Sequence, residues 1–353
     1  MAATDAPLPV LQARRIVTDL YAPNPLIYWA DFLFSISLGW SAFALAVTQP
    51  MFAMAQLACT VVATLTLYRA VIFTHELAHL KKGTFKAFRL VWNITCGVPL
   101  MVPSFTYRGV HNDHHKRDVY GTRADGEYLP FGASQPYKII LYLLLIFVLP
   151  VIMAGRFIVL TPLTHLYGPL RRWVWQRASS LTIDLSYHRP LPSRRDGRTW
   201  VSQETACCFL GISAIALAAE AVLPYEALAL WYIVAVLIFL LNSLRTLAAH
   251  SYRNPGHQPM DLSEQYLDSV NVPGHPFLTT LWAPVGLRYH ATHHLFAAMP
   301  YHALGTAHKR LIEELPDNEV YLRTTRTSLW NALTRLWADA AAGGGPAKAS
   351  TTG

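Results

Sequence analysis

Charge is scarce in this 353-residue chain: Asp, Glu, Lys and Arg together make up 14% of it, against about 25% in a soluble globular protein. With 53% hydrophobic residues and a mean hydropathy of +0.26, the deficit argues against an ordinary water-soluble fold and points to lipid as part of the solvent. Cysteine is scarcer still, limited to Cys59, Cys96, Cys207 and Cys208. No C-x-x-C pair occurs, so no zinc ribbon, rubredoxin or ferredoxin module is built into the sequence. All four thiols fall in apolar stretches and are read as inert. The first 25 residues hold Arg14 and Arg15 but no apolar core, so they read as a cytosolic segment and not as a secretory signal. A net charge of +8 raises the question of nucleic acid, but the basic residues lie where membrane topology would put them, and no nucleic acid is expected.

Four stretches are long and apolar enough to cross a bilayer, which takes about 20 residues: roughly 26–48, 51–74, 205–223 and 226–249. Gln49-Pro50 separates the first two and Pro224-Tyr225 the last two, so each pair reads as a helical hairpin. Neither turn carries Lys or Arg, whereas Lys81–Arg198 holds 17 of the 29. The positive-inside rule then has both hairpins dipping outward from the cytoplasmic face. A fifth apolar stretch, 138–167, is interrupted by Pro150, Arg156 and Pro162. A single crossing there would put the histidine-rich segments on opposite sides of the membrane, so it is expected to be re-entrant or interfacial. Residues 340–353, with a Gly-Gly-Gly-Pro run, are expected to form a flexible tail.

Histidine is what the sequence has in surplus, 15 in all. Three clusters stand out: His75-Glu-Leu-Ala-His79, His111-Asn-Asp-His114-His115 and His290-Ala-Thr-His293-His294. On a helix, residues at i, i+3 and i+4 share one face, so each cluster would present two or three imidazoles together. By chance an H-x-x-x-H pair arises about 0.6 times in such a chain and an H-x-x-H-H about 0.03 times; the second pattern occurs twice. His250 closes the last membrane stretch and reaches the same face. Nine candidate ligands at one depth are too many for one metal and about right for two.

Imidazole suits zinc, copper, iron and nickel alike. A catalytic zinc takes three protein ligands and an open position, which leaves most of these histidines unused, whereas two redox-active irons would use them all. Glu76, Asp113, Asp118, Asp125 and Glu127 lie close in sequence and could orient ligands through the second ring nitrogen, or simply be a solvated face. Arg69 and Arg245 precede His75 and His250 by six and five residues. Snorkelling to headgroups is the simpler role; the sharper one is holding a ligand-orienting carboxylate or the substrate's polar end. His165, His188, His257, His275, His302 and His308 read as non-ligands, with His302 the first exception to consider.

H-x-x-x-H followed by two H-x-x-H-H boxes, with hairpins before the first box and between the second and third, resembles the membrane fatty acid desaturase and hydroxylase superfamily. Tyr289-His-Ala-Thr-His-His-Leu-Phe and Met299-Pro-Tyr-His-Ala-Leu-Gly-Thr-Ala-His308 are similar to the third box of bacterial and plastid-type desaturases. The likeness runs from about Leu26 to Leu311. It implies an all-α integral membrane protein with four transmembrane helices and a cytosolic cap, a membrane domain of 26–339, and two iron ions with O2 as co-substrate. It carries the ligand role to His75, His79, His111, His114, His115, His290, His293 and His294, and matches His250 to a further ligand. Acyl-CoA desaturases place an asparagine one turn before that histidine; here Thr246 stands there and Asn242 a turn further back. Asp113, Thr246, Asn242 and Arg245 are therefore the expected supports of the ligands. No His-Pro-Gly-Gly occurs, so no cytochrome b5 segment is fused, and electrons would come from a separate ferredoxin or cytochrome b5-type donor.

The expected activity is desaturation of a lipid acyl chain, in a bacterial inner membrane with the site on the cytoplasmic side. Hydroxylation of the same chain is the alternative, because motif spacing does not separate loss of a second hydrogen from oxygen rebound. A zinc-dependent membrane hydrolase and a metal transporter are more remote; a transporter would place its ligands near the bilayer midplane, not at helix ends.

Overall fold

A computed structural model describes residues 9–81, 83–256, 258–315 and 318–343. His257 and residues 344–353 of the expected tail lie outside the described residues. Residues 340–343 close the helix Leu329–Gly343, with Ala340 buried. Helices dominate; among the described residues there is no strand, only the isolated bridges His250–Ser269, Asn271–Tyr289 and Asn271–Thr325. The chain is an all-α integral membrane protein. It divides into two compact units, one of Met1–Ala22, His114–Leu144 and Ser243–Gly353, the other of Pro23–Asp113 and Leu145–Asn242.

Five helices are long and apolar enough to cross a membrane: Pro25–Val47, Met54–His79, Leu149–Leu166, Arg194–Ala219 and Tyr225–Leu247. Local signals start them. Asn24 accepts from the Leu26 amide and Pro25 takes the first helical position, where its missing N–H is not needed. Ser193 caps Arg194–Ala219 by accepting from Asp196 N. Gln56 ties the turn of the first hairpin, accepting from Phe52 N at 2.8 Å and donating to the Ala46 and Gln49 carbonyls at 3.4 Å. Phe34, Leu45, Val61 and Phe209 point outward and exposed, where lipid would cover them.

Leu149–Leu166 is the helix that the sequence expectation kept at the interface. Its interruptions are absorbed locally. Pro150 and Pro162 each fall in the first turn of a short helix, and a π-helical turn, Arg156–Leu160, joins the two. Arg156 is buried and donates to Ala178 O, Thr161 Oγ1, Ser179 Oγ and Glu204 Oε2, all within 3.0 Å. Its charge is thus matched by buried Glu204 and does not face lipid. Length and composition make this a fifth helix able to cross.

The other unit has its own core. Ala13 and Val17, in and just after the N-terminal helix Val10–Ile16, pack with Tyr266, Phe296, Leu304, Leu311 and Tyr321. An Asp19–Arg310 ion pair at 2.6 Å lies on the same side.

Candidate metal centre

Each histidine box lies at or near a helix end. Met54–His79 is one continuous helix of 26 residues, about 39 Å long at 1.5 Å per residue. That exceeds the roughly 30 Å hydrocarbon core, so its last turns, with His75 and His79, can stand clear of it. Arg89 secures the end by donating to Leu77 O at 2.7 Å and Leu80 O at 2.8 Å, which satisfies carbonyls the helix leaves open. The second box occupies the end of Phe105–His114. The third is His290–Leu295, a helix of six residues.

In the first unit His114, His250, His290 and His294 bring one ring nitrogen each to within 4.8 Å of one another. His290 Nε2 lies 2.9 Å from His250 Nε2 and 3.0 Å from His294 Nε2. His115 Nε2 faces His293 Nε2 at 3.2 Å. In the second unit the offered nitrogens of His75, His79 and His111 also lie within 4.8 Å of one another, with His79 Nε2 and His111 Nε2 2.8 Å apart.

The outer ring nitrogens of His114, His250 and His111 are tied down. His114 Nδ1–H donates to Asp125 Oδ2 at 2.8 Å. Asp125 is fully buried and also accepts from Gly121 N and Glu127 N. His250 Nδ1–H donates to the Tyr120 hydroxyl at 2.8 Å, and that hydroxyl donates to Asp268 Oδ2 at 3.2 Å. Tyr128 OH and Arg253 N give Asp268 further bonds. In the second unit Tyr107 OH meets His111 Nδ1 at 2.9 Å, and buried Glu76, beside His75, accepts from Tyr28 OH.

Fixing Nδ1 as the donor leaves a lone pair on Nε2 of His114 and of His250, both aimed into the cluster. Burial, the neighbouring His114 and Arg245 hold the His250 imidazole well below its usual range, so it is neutral at pH 7. Burial also lowers His114, but the Asp125 charge and hydrogen bond, with Glu127 and Asp268, outweigh it and leave the pKa raised. Burial pushes Tyr120 up, so it stays a phenol. Lone pairs converging in a dry pocket repel unless a cation shares them. Four converging imidazoles, two of them backed at the second nitrogen by a carboxylate directly or through a tyrosine, are therefore a donor set that fits a metal ion.

The supports read from sequence are distributed differently. Asp125 orients a histidine. Asp113 accepts from Tyr187 OH at 2.8 Å, and Asp118 is exposed. Thr246 uses its carbonyl to accept from Tyr252 OH. Asn242 lies in the second unit, partly buried. Buried Arg245 acts by charge on Glu127 and His250. Arg69 is held by Asp31 through two bonds of 2.6 Å, a carboxylate on the neighbouring helix Pro25–Val47. Tyr107, Tyr120 and Asp268 were not anticipated. Tyr107 stands one turn before His111, a signal available in the sequence; Asp268 has no spacing that connects it to a box.

An α-helical membrane protein carrying buried histidine clusters that can hold metal is the class these features define. The chain belongs to the fatty acid desaturase family, whose sequence model matches residues 50–326, and it is a lipid-modifying oxidoreductase of that family. It is 40% identical over 326 residues, 92% of each chain, to a protein named ceramide hydroxylase from Caulobacter vibrioides (strain NA1000 / CB15N). No solved structure matches it.

Proposed function

We propose that the protein is an O2-dependent hydroxylase of a membrane lipid, with ceramide as the substrate class. The nine histidines would ligate two iron ions, His114, His250, His290 and His294 forming one set. The observation that carries the metal reading is the convergence of those four buried imidazoles, two gaps of which are 2.9 and 3.0 Å. The expectation from sequence preferred desaturation. The relative's name supports hydroxylation instead, and at 40% identity over 92% of the chain it outweighs the likeness of one box.

The irons would supply O2 reduction and an oxidant able to take hydrogen from an unactivated carbon. The balance is one C–H bond, one O2, two electrons and two protons giving one alcohol and one water. A ferredoxin or cytochrome b5-type donor would supply the electrons. The protein's own residues hold the ring nitrogens in place. Asp125 and the Tyr120–Asp268 pair keep His114 and His250 in the tautomer that offers Nε2. Burial of His114, His250 and His290 keeps bulk water from their rings. The inferred setting is a bacterial inner membrane with the site on its cytoplasmic side.

Liquid-chromatography mass spectrometry of lipids from a ceramide-supplied host tests this, beside a His293→Ala, His294→Ala variant. Ceramide gaining one oxygen only with intact boxes supports the proposal. Ceramide or acyl chain losing two hydrogens would restore desaturation. Zinc without iron in the purified protein, and no need for O2, would favour a hydrolase.

A further inference from the structure

His308 closes the run Met299–His308, yet it lies among none of the metal-facing imidazoles. It is buried, 5% exposed, on the helix Tyr301–Glu314. Its Nδ1 lies 2.7 Å from the Tyr321 hydroxyl, and that hydroxyl lies 2.6 Å from Thr292 Oγ1. Thr292 sits inside the third box, between His290 and His293.

We propose that His308, Tyr321 and Thr292 form a positioning relay that sets the rotation of the third histidine box. This rests on reading His290, His293 and His294 as metal ligands.

The box helix needs such a device. Its six residues are too few to be stable alone, and no side chain caps its start. At 100° per residue the three histidines share one face, and Thr292 points roughly 150° away from it. A contact at Thr292 therefore acts as a tiller on the far side of the ligands. That contact is double: the Thr292 amide donates to Asn271 Oδ1 at 3.1 Å while its hydroxyl meets Tyr321. Asn271 is itself pinned by its backbone, which donates to Thr324 O and accepts from Arg326 N.

The middle of the relay is equally fixed. The Tyr321 ring stacks on Tyr266, centroids 5.6 Å apart and planes within 19°. Tyr266 OH in turn bonds to Tyr321 O at 2.8 Å. His308 also packs its ring 5.0 Å from Tyr289, the residue just before the box. Apolar packing alone would fill this space without choosing a rotation. A chain of two hydroxyls and an imidazole in a dry core is directional; removing the middle oxygen takes this partner from His308 Nδ1 and leaves Thr292 Oγ1 only the longer 3.4 Å contact with Asn271 Oδ1.

The test uses the full-length, iron-loaded protein, comparing Tyr321→Phe, Thr292→Val and Thr292→Ser with the parent. Iron per chain, the Mössbauer spectrum, kcat, KM and the melting temperature are measured. Expected for Tyr321→Phe and Thr292→Val is a kcat lower by roughly tenfold, KM within about twofold, and an altered quadrupole splitting with iron retained. Thr292→Ser, which keeps the hydroxyl, should restore the parent spectrum and rate, and a variant combining Tyr321→Phe with Thr292→Val should be no worse than the poorer single one. An unchanged spectrum in both Tyr321→Phe and Thr292→Val overturns the relay, as does a kcat loss that merely tracks a lower melting temperature. So does Thr292→Ser behaving like Thr292→Val. Iron retained without turnover of ceramide by the parent removes only the substrate reading, since the spectra still decide the relay. A parent that holds no iron removes the ligand reading and the relay together.

Discussion

The guanidinium of Arg189 occupies the space that a side chain on residue 109 would need: a Cβ placed on Gly109 would lie 2.3 Å from Arg189 Nη2. Arg189 cannot easily yield. Its Nη1 donates to Phe105 O at 2.7 Å and Ser179 O at 2.6 Å, and its guanidinium lies 4.1 Å over the Trp200 ring. The segment that carries it also donates Leu181 N to Thr106 O and Tyr187 OH to Asp113, so it straps the helix bearing His111.

On an open helix Gly→Ala gains about 1 kcal/mol. Gly109→Ala should instead cost about 1–3 kcal/mol, as overpacking does, and loosen the strap. A melting curve of the purified variant checks this; a higher melting temperature would mean that Arg189 moves aside freely.

Tyr120→Phe removes the hydroxyl that links His250 Nδ1 to Asp268 Oδ2 while keeping the ring; Ser269 Oγ, 3.4 Å from His250 Nδ1, is the longer contact that remains. Iron content or turnover should fall roughly 10- to 100-fold, the usual cost of losing a ligand's outer partner. Asp125→Asn should do the same through His114. Iron analysis and rate are the readouts, and parent values in both variants would show that the ligands hold themselves.

Arg156 and Glu204 are a buried pair at 2.7 Å, each no more than 2% exposed. Arg156→Met alone leaves a buried carboxyl without its cation and should cost about 3–5 kcal/mol. Adding Glu204→Leu should recover most of that loss, because the uncompensated group is gone. Thermal unfolding of the single and double variants in detergent reads the difference.

His308 is lowered to about 4 from 6.5 by burial and by Arg288. The unfolded chain therefore binds its proton first as pH falls, and stability is lost between about pH 6.5 and 4. Above 6.5 the residue makes no pH-dependent contribution. Melting temperature should drop from pH 7 to pH 5, and His308→Asn should flatten part of that slope by up to a few kcal/mol. An identical slope in the variant would assign the acid sensitivity to other groups.

The sequence made the histidine clusters legible because imidazoles at i, i+3 and i+4 must share a helix face wherever that helix goes. The fold class was legible from the long apolar stretches for the same local reason. Asp125 and Glu76 could be picked out beside the boxes, but the more distant partner could not. Asp268 reaches His250 through Tyr120, which lies 148 residues from Asp268, and no local spacing encodes such a meeting. The 138–167 stretch was read as re-entrant or interfacial because a single crossing would part the histidine boxes. What no local pattern showed is how its interruptions are absorbed: Pro150 and Pro162 fall in first turns, and Arg156 meets Glu204, 48 residues away.

The first box is the far end of the same helix that begins just after the 48–53 turn, with no break between Met54 and His79. Geometry then gears the apolar span to the histidine rings. One residue deleted anywhere along that shaft would turn His75 and His79 by about 100° and draw them back about 1.5 Å. Only changes near whole turns would keep the rings in phase, so membrane thickness and catalytic alignment cannot drift independently in this protein.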